Sequence, residues 1–227
     1  MAGAGDRAEE IRRRYLAVDS SNVADVLDEL GLPDQGLAPE FAPYPPTAGR
    51  LAGWAFTIRG EMTPYPMGAG DEAKMKACAQ LTPGTVSVWS GRGEGVCFFG
   101  ELISIGMQER GCVGALVDGG IRDVDWIGKL GFPVYARYRT PVQSIGRWRV
   151  VESAVPVPMP GATVAEVEVM PGDFVLADAD GTIVVPAAVA EQVLERAEEL
   201  GTREVQIRTE LAGGLSLSEA LAKFGHV

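Results

Sequence analysis

The chain has 227 residues, 46% of them hydrophobic, and carries 20 basic against 31 acidic side chains for a formal charge of −11. That length and apolar content suit one domain with a sizeable core, and the acidic balance excludes a protein whose main partner is nucleic acid or an anionic membrane, because either polyanion would repel it. No stretch approaches the roughly 20 apolar residues of a membrane span, no signal-peptide pattern opens the chain, and the 3 cysteines (Cys78, Cys97, Cys112) are odd in number and widely spaced, so a soluble cytoplasmic protein is expected.

Residues 1–18 are expected to be flexible. The segment VDSSNVADVLDELG predicts a short helix with Ser20 or Ser21 as cap, Val23, Val26, Leu27 and Leu30 on one face, and Gly31 at its stop. Prolines 33, 39, 43, 45 and 46 mark an extended connection leading into a strand at about Ala52 to Ile58. The pattern then alternates: helix Asp71 to Gln80, strand Thr85 to Trp89, helix Glu101 to Arg110, strand Val113 to Val117, helix Asp123 to Leu130, strand Pro133 to Arg139. Such alternation predicts right-handed βαβ units and a largely parallel sheet. In MPGDFVLADADGTIVVP, two apolar runs around Asp180-Gly181 predict an antiparallel hairpin. Pro186 then opens a helix from about Ala187 to Leu200, followed by a second from about Thr202 to Leu211.

The only histidine is His226, so histidine triads and multi-histidine zinc sites have nothing to build with. Chemistry must rest on carboxylates, arginines, backbone amides, lysines or a metal. In open α/β sheets ligands gather at the carboxyl ends of strands, and two junctions of that kind stand out. At Gly100 to Ile103 a helix opens with free amides. At Gly111 to Asp123 an apolar run enters what reads as a tight glycine turn ending on Arg122, a fork of donors for a carboxylate, and Asp123, a ligand for a hard cation. Taken singly, Asp123 is a helix cap and Arg122 a surface arginine paired with Asp118 or Asp125. The pair after two glycines favours a site, because the glycines permit a backbone approach that no packing role obviously needs. GRGEG after the Thr85 strand lacks the dinucleotide fingerprint and reads as a flexible loop over the site.

GELISIGMQERGCVGALVDGGIRD, LGFPVYARYRTP and MPGDFVLADADGTIVVP together resemble the RraA-like family, over about Ser21 to Leu217. That family includes 4-hydroxy-4-methyl-2-oxoglutarate aldolases with oxaloacetate decarboxylase activity and regulators of RNase E. The resemblance implies a single α/β domain over residues 1–227 with a β-β-α swivelling core, and a homotrimer or a homohexamer built as a dimer of trimers. Residues 187–227 would form a C-terminal helical segment on a neighbouring subunit. The implied activity is a divalent-metal-dependent lyase on a pyruvyl-containing 2-oxo acid. Gly100, Glu101, Leu102 and Ile103 would bind the pyruvyl group with Arg122, while Asp123 holds Mg²⁺ or Mn²⁺. Glu101 is the nearby candidate for orienting a water, and Glu204, with Glu199 second, for the glutamate that a neighbour contributes. The other implied role is a non-catalytic regulator of the RNase E inhibitor type. MGAGDEAKMKACAQ departs from the family by lacking an expected asparagine and carrying Lys74 and Lys76. Both are expected on the surface of an amphipathic helix, with an influence on substrate choice if either faces the site.

Overall fold

The computed structural model describes residues 4–66 and 71–225, so His226 lies outside the described residues. The chain opens with α1 (Ala4–Tyr15) and α2 (Ser20–Glu29), then β1 (Ala42–Tyr44) and β2 (Leu51–Met62). Next come α3 (Glu72–Cys78), β3 (Thr85–Ser90), β4 (Cys97–Phe99), α4 (Glu101–Gln108), β5 (Gly114–Ile121), α5 (Val124–Leu130) and β6 (Val134–Arg139). The last part holds β7 (Trp148–Ser153), β8 (Val157–Pro160), β9 (Glu166–Val169), β10 (Phe174–Ala177), β11 (Thr182–Val185), α6 (Ala190–Ala212) and α7 (Leu217–Phe224).

Among the described residues, nine strands form the main sheet. β2, β3, β5 and β6 lie side by side and parallel, as the βαβ pattern predicts. β10 and β11 form the expected hairpin and add to β2 antiparallel; β7 also pairs with β2, and β1 closes the far edge on β6. The parallel strands are apolar on both faces because both are covered. Trp89, Ala115, Val117 and Ile121 face Ala77, Met107 and Ile127 from α3, α4 and α5. Val86, Val88 and Leu116 face the separate β8–β9 pair through Val157, Met159, Val167 and Val169. A third cluster packs α1, α2 and α6 onto the hairpin through Phe174, Leu176, Ile183 and Val185.

Several expectations are corrected. α1 lies inside the stretch expected to be flexible: Ile11, Tyr15 and Val18 are buried, the Tyr15 ring stacks on Phe174 at 4.1 Å, and its hydroxyl donates to the Ala190 carbonyl at 2.6 Å. Neither Ser20 nor Ser21 caps α2. Asp19 holds the cap position without a side-chain capping bond, its carboxylate accepting from Arg50 at 2.6 Å, and the Ser20 hydroxyl donates instead to Asp178 at 2.6 Å. Leu30 is exposed rather than part of the buried stripe. The two helices expected after Pro186 are one continuous α6, since Val193, Leu194, Ala197 and Leu200 pack on the α2 side and outweigh the cost of about 1 kcal/mol for an interior glycine at Gly201. No helix among the described residues is long and apolar enough to cross a membrane.

Candidate active site

The two junctions singled out from the sequence meet. β4 pairs parallel with β5, Cys97 opposite Gly120 and Phe99 opposite Ile121, so α4 and α5 leave the carboxyl ends of neighbouring strands. The Arg122 N–H donates to the Phe99 carbonyl at 3.1 Å, and the Glu101 N–H to Asp123 Oδ2 at 3.4 Å. A cavity of about 360 Å³ opens here, lined by Gly100, Leu102, Ile103, Arg122 and Asp123, with α3 and residues 143–145 completing its wall. Backbone bonding within α4 begins with the Ser104 N–H on the Gly100 carbonyl, which leaves the Leu102 and Ile103 amides without an acceptor inside the helix. A Cβ on Gly100 would stand 2.8 Å from Asp123 Oδ2, so any larger residue there would displace the carboxylate.

Asp123 adopts φ 60°, ψ 33°, the left-handed region, which costs a non-glycine residue on the order of 1 kcal/mol. It occupies the cap position of α5 but makes no side-chain capping bond. Among the described residues its carboxylate has the long contact to Glu101 and an ion pair with Arg122 Nε at 3.5 Å. The reading of Asp123 as a helix cap is therefore not realised. The carboxylate that looked available to Arg122, Asp118, is fully buried. It accepts from the Arg92 N–H at 2.7 Å and from Arg137 at 3.2 Å, and burial pushes its pKa up.

The glycines before the pair play a different part from the one expected. β5 continues through Ile121, so Gly119 and Gly120 are strand residues, not a tight turn. A Cβ would lie 2.3 Å from the Phe98 ring at Gly119 and 2.5 Å from the Tyr138 ring at Gly120. Packing of β5 against its neighbours does need them. The loop 91–95 is likewise not a cover for the cavity: the Gly93 N–H bonds the Asp118 carbonyl, and the Tyr138 hydroxyl donates to the Gly93 carbonyl at 2.5 Å.

The lysines divide. Lys76 is exposed and paired with Glu72, as expected for a surface residue. Lys74 is not on the surface: it is 6% exposed, lines the cavity, and places Nζ 3.3 Å from Asp71 Oδ2. Its aliphatic neighbours in sequence gave no sign of this, because the burial comes from α3 packing beside β7 and Trp148. Asp71, Cys97, Gln143, Ser144 and Ile145 also line the cavity and were not singled out from sequence. Burial pushes the Cys97 thiol up, which opposes a nucleophilic role.

Glu101 contributes its N–H beside Asp123, but its side chain is not part of the cavity wall. Within one chain Glu204 and Glu199 do not reach the cavity either. Glu204 forms the plain helical pair with Arg208 and, with the Asn22 amide turned to satisfy its neighbours, accepts from it at 2.8 Å; Glu199 pairs with Arg196.

The chain is a mixed α/β domain whose cavity joins free helix amides, an arginine and a lightly bonded aspartate at the ends of parallel strands, the place where open α/β sheets generally gather ligands. More narrowly, the sequence profile of the RraA-like family, described as Aldolase/RraA, matches residues 20–184, and this chain is a member of that family. A protein of Halalkalibacterium halodurans, provisionally named a 4-hydroxy-4-methyl-2-oxoglutarate aldolase, is 32% identical over 132 residues, which cover 57% of this chain and 60% of that one. The chain thus spans less than two thirds of the length of the curated relatives it matches. An uncharacterised protein from Pseudomonas syringae pv. tomato superposes with a TM-score of 0.83 at 27% identity, covering 95% of this chain and 94% of that one. Streptomyces coelicolor RraAS2, described as an unusual member of the RNase ES inhibitor RraA family, superposes with a TM-score of 0.73 at 27% identity, over 88% and 96% of the two chains.

Proposed function

We propose that this protein is a divalent-metal-dependent carbon–carbon lyase acting on a pyruvyl-containing 2-oxo acid, by retro-aldol cleavage of substrates like 4-hydroxy-4-methyl-2-oxoglutarate, by decarboxylation of oxaloacetate, or both. The observation that carries this reading is Asp123: a strained, half-exposed carboxylate with spare acceptor capacity beside Arg122 and the open amides of α4. The aldolase name of the Halalkalibacterium relative supports it.

Among the described residues no three His, Cys, Asp or Glu side chains cluster as a cage. A donor-poor site with one oxygen ligand fits Mg²⁺ or Mn²⁺, hard cations that keep waters and take one or two carboxylates plus substrate. Asp123 would hold that ion, which supplies Lewis-acid charge where the C2 oxygen becomes negative as the carbon–carbon bond breaks. The Leu102 and Ile103 amides and the Arg122 fork bind the substrate carboxylate and fix the scissile bond in the cavity. Glu101, whose side chain stands outside the cavity wall, would turn toward it to orient the water that returns a proton to C3. In a trimer or a dimer of trimers, a neighbouring copy's C-terminal segment would bring Glu204, or Glu199, to the same mouth.

The test follows pyruvate release from oxaloacetate by the purified protein, with Mg²⁺ and with chelator. Metal-dependent release that disappears in Asp123→Ala is expected. Absence of metal-dependent turnover, or equal turnover in the variant, sinks the lyase reading in favour of a protein-binding role like that named for RraAS2.

A further inference from the structure

Lys74 is a buried cation that the chemistry at Arg122 and Asp123 does not use. Its ammonium offers three donors. Among the described residues its charged partner is Asp71 at 3.3 Å, and the faces of Trp89 and Trp148 stand 5.9 and 5.7 Å from Nζ. Among the described residues the indole N–H groups of those two tryptophans are themselves buried without an acceptor. Lys74 is 6% exposed, and the space open to it is the cavity it lines with Arg122. Cys97 lines the same cavity.

We infer that Lys74 determines specificity by taking a second anionic group of the substrate, so that the cavity selects 2-oxo acids with a distal carboxylate over those with a neutral tail. The inference rests on the proposed binding of a 2-oxo acid head group at Arg122. Asp71 takes part of the donor capacity of this ammonium, and an anion that meets the rest in the cavity makes a strong charge-assisted bond. Asp71 and the two indole faces hold the ammonium electrostatically at the cavity wall. The cavity volume of about 360 Å³ accommodates a small diacid. Arg122 and Lys74 come from different elements, the end of β5 and the middle of α3, so the two anionic ends would be held by separate walls.

The probes are 2-oxoglutarate and 2-oxopentanoate, which share head group and chain length and differ in having a distal carboxylate or a methyl. Neither carries the 4-hydroxyl or β-carboxylate that cleavage needs, so calorimetric titration in Mg²⁺ reads binding alone. The wild-type protein should prefer the diacid by about tenfold or more, the worth of one charge-assisted bond. Lys74→Met should erase that preference and leave 2-oxopentanoate binding unchanged, while Lys74→Arg should keep most of it. Equal affinity of wild type for the two acids, preference surviving in Lys74→Met, or binding of neither acid overturns the inference. Selective diacid binding without oxaloacetate turnover would overturn the lyase reading and leave the Lys74 assignment standing; turnover without charge selection would do the reverse.

Discussion

Two aspartates at the ends of strands show how this fold separates structure from chemistry. Asp178, after β10, is saturated: the Ser20 N–H and hydroxyl reach it at 2.8 and 2.6 Å, Arg50 at 2.9 Å, and the Asp180 N–H at 3.0 Å. Asp123, after β5, has one long hydrogen bond and a loose ion pair. Burial works against the charged form of Asp178, yet the bonds from Ser20, then Arg50 and Asp180, outweigh it and hold its carboxyl below the usual range. The first region spends its polar groups on tying α2 to the hairpin; the second leaves them free facing a cavity. Unused hydrogen-bonding capacity, more than burial, marks the site.

The contrast can be broken by exchange of effects. Asp123→Asn should remove metal-dependent turnover on the order of a thousandfold, since a Lewis-acid ion supplies several kcal/mol to the transition state, while the melting temperature stays close to wild type because asparagine tolerates the left-handed backbone. Asp178→Ala should do the opposite, costing about 3 kcal/mol in denaturant unfolding because Ser20 and Arg50 lose a buried partner, with turnover per folded molecule unchanged. If both variants lose stability alike, the distinction fails. The pH dependence sharpens it further. Because the folded carboxyl of Asp178 titrates below its unfolded value, its stabilisation is present above the unfolded range and is lost as pH falls through the lowered folded value. Unfolding titrations of Asp178→Asn should show a flatter acid limb than wild type. Arg122→Lys keeps charge but loses the planar fork, so KM for the 2-oxo acid should rise about tenfold with little change in stability. The smallest effect is expected from Tyr15→Phe, about 1 kcal/mol for the lost bond to the Ala190 carbonyl, visible as a shift in denaturant midpoint.

Much of this was legible in the sequence where local pattern decides. The apolar runs of β2, β3, β5 and β6 and the intervening helices follow from periodicity, and the Asp180-Gly181 signal from turn chemistry. Gly100 and the Arg122-Asp123 pair were legible too, because helix openings place amides and charges by chain order alone. What escaped depends on distant segments. α1 has a sparse stripe of Ile11 and Tyr15 among arginines and glutamates, and it is recognisable only once Phe174 is seen beneath it. β8 and β9 hide among prolines, yet Val157, Met159, Val167 and Val169 alternate inward while Pro158 is exposed at the surface. Lys74 looked like any helix lysine until Trp89 and Trp148 closed around it.

The backbone of Asp123 has a consequence for descent. At φ 60° only glycine, asparagine and aspartate sit cheaply, so the replacements this position tolerates best are those that delete the charge and keep the fold. On the lyase reading, a lineage built on this scaffold can therefore lose its metal ligand in a single step, with its fold intact and its surfaces open to selection for other partners.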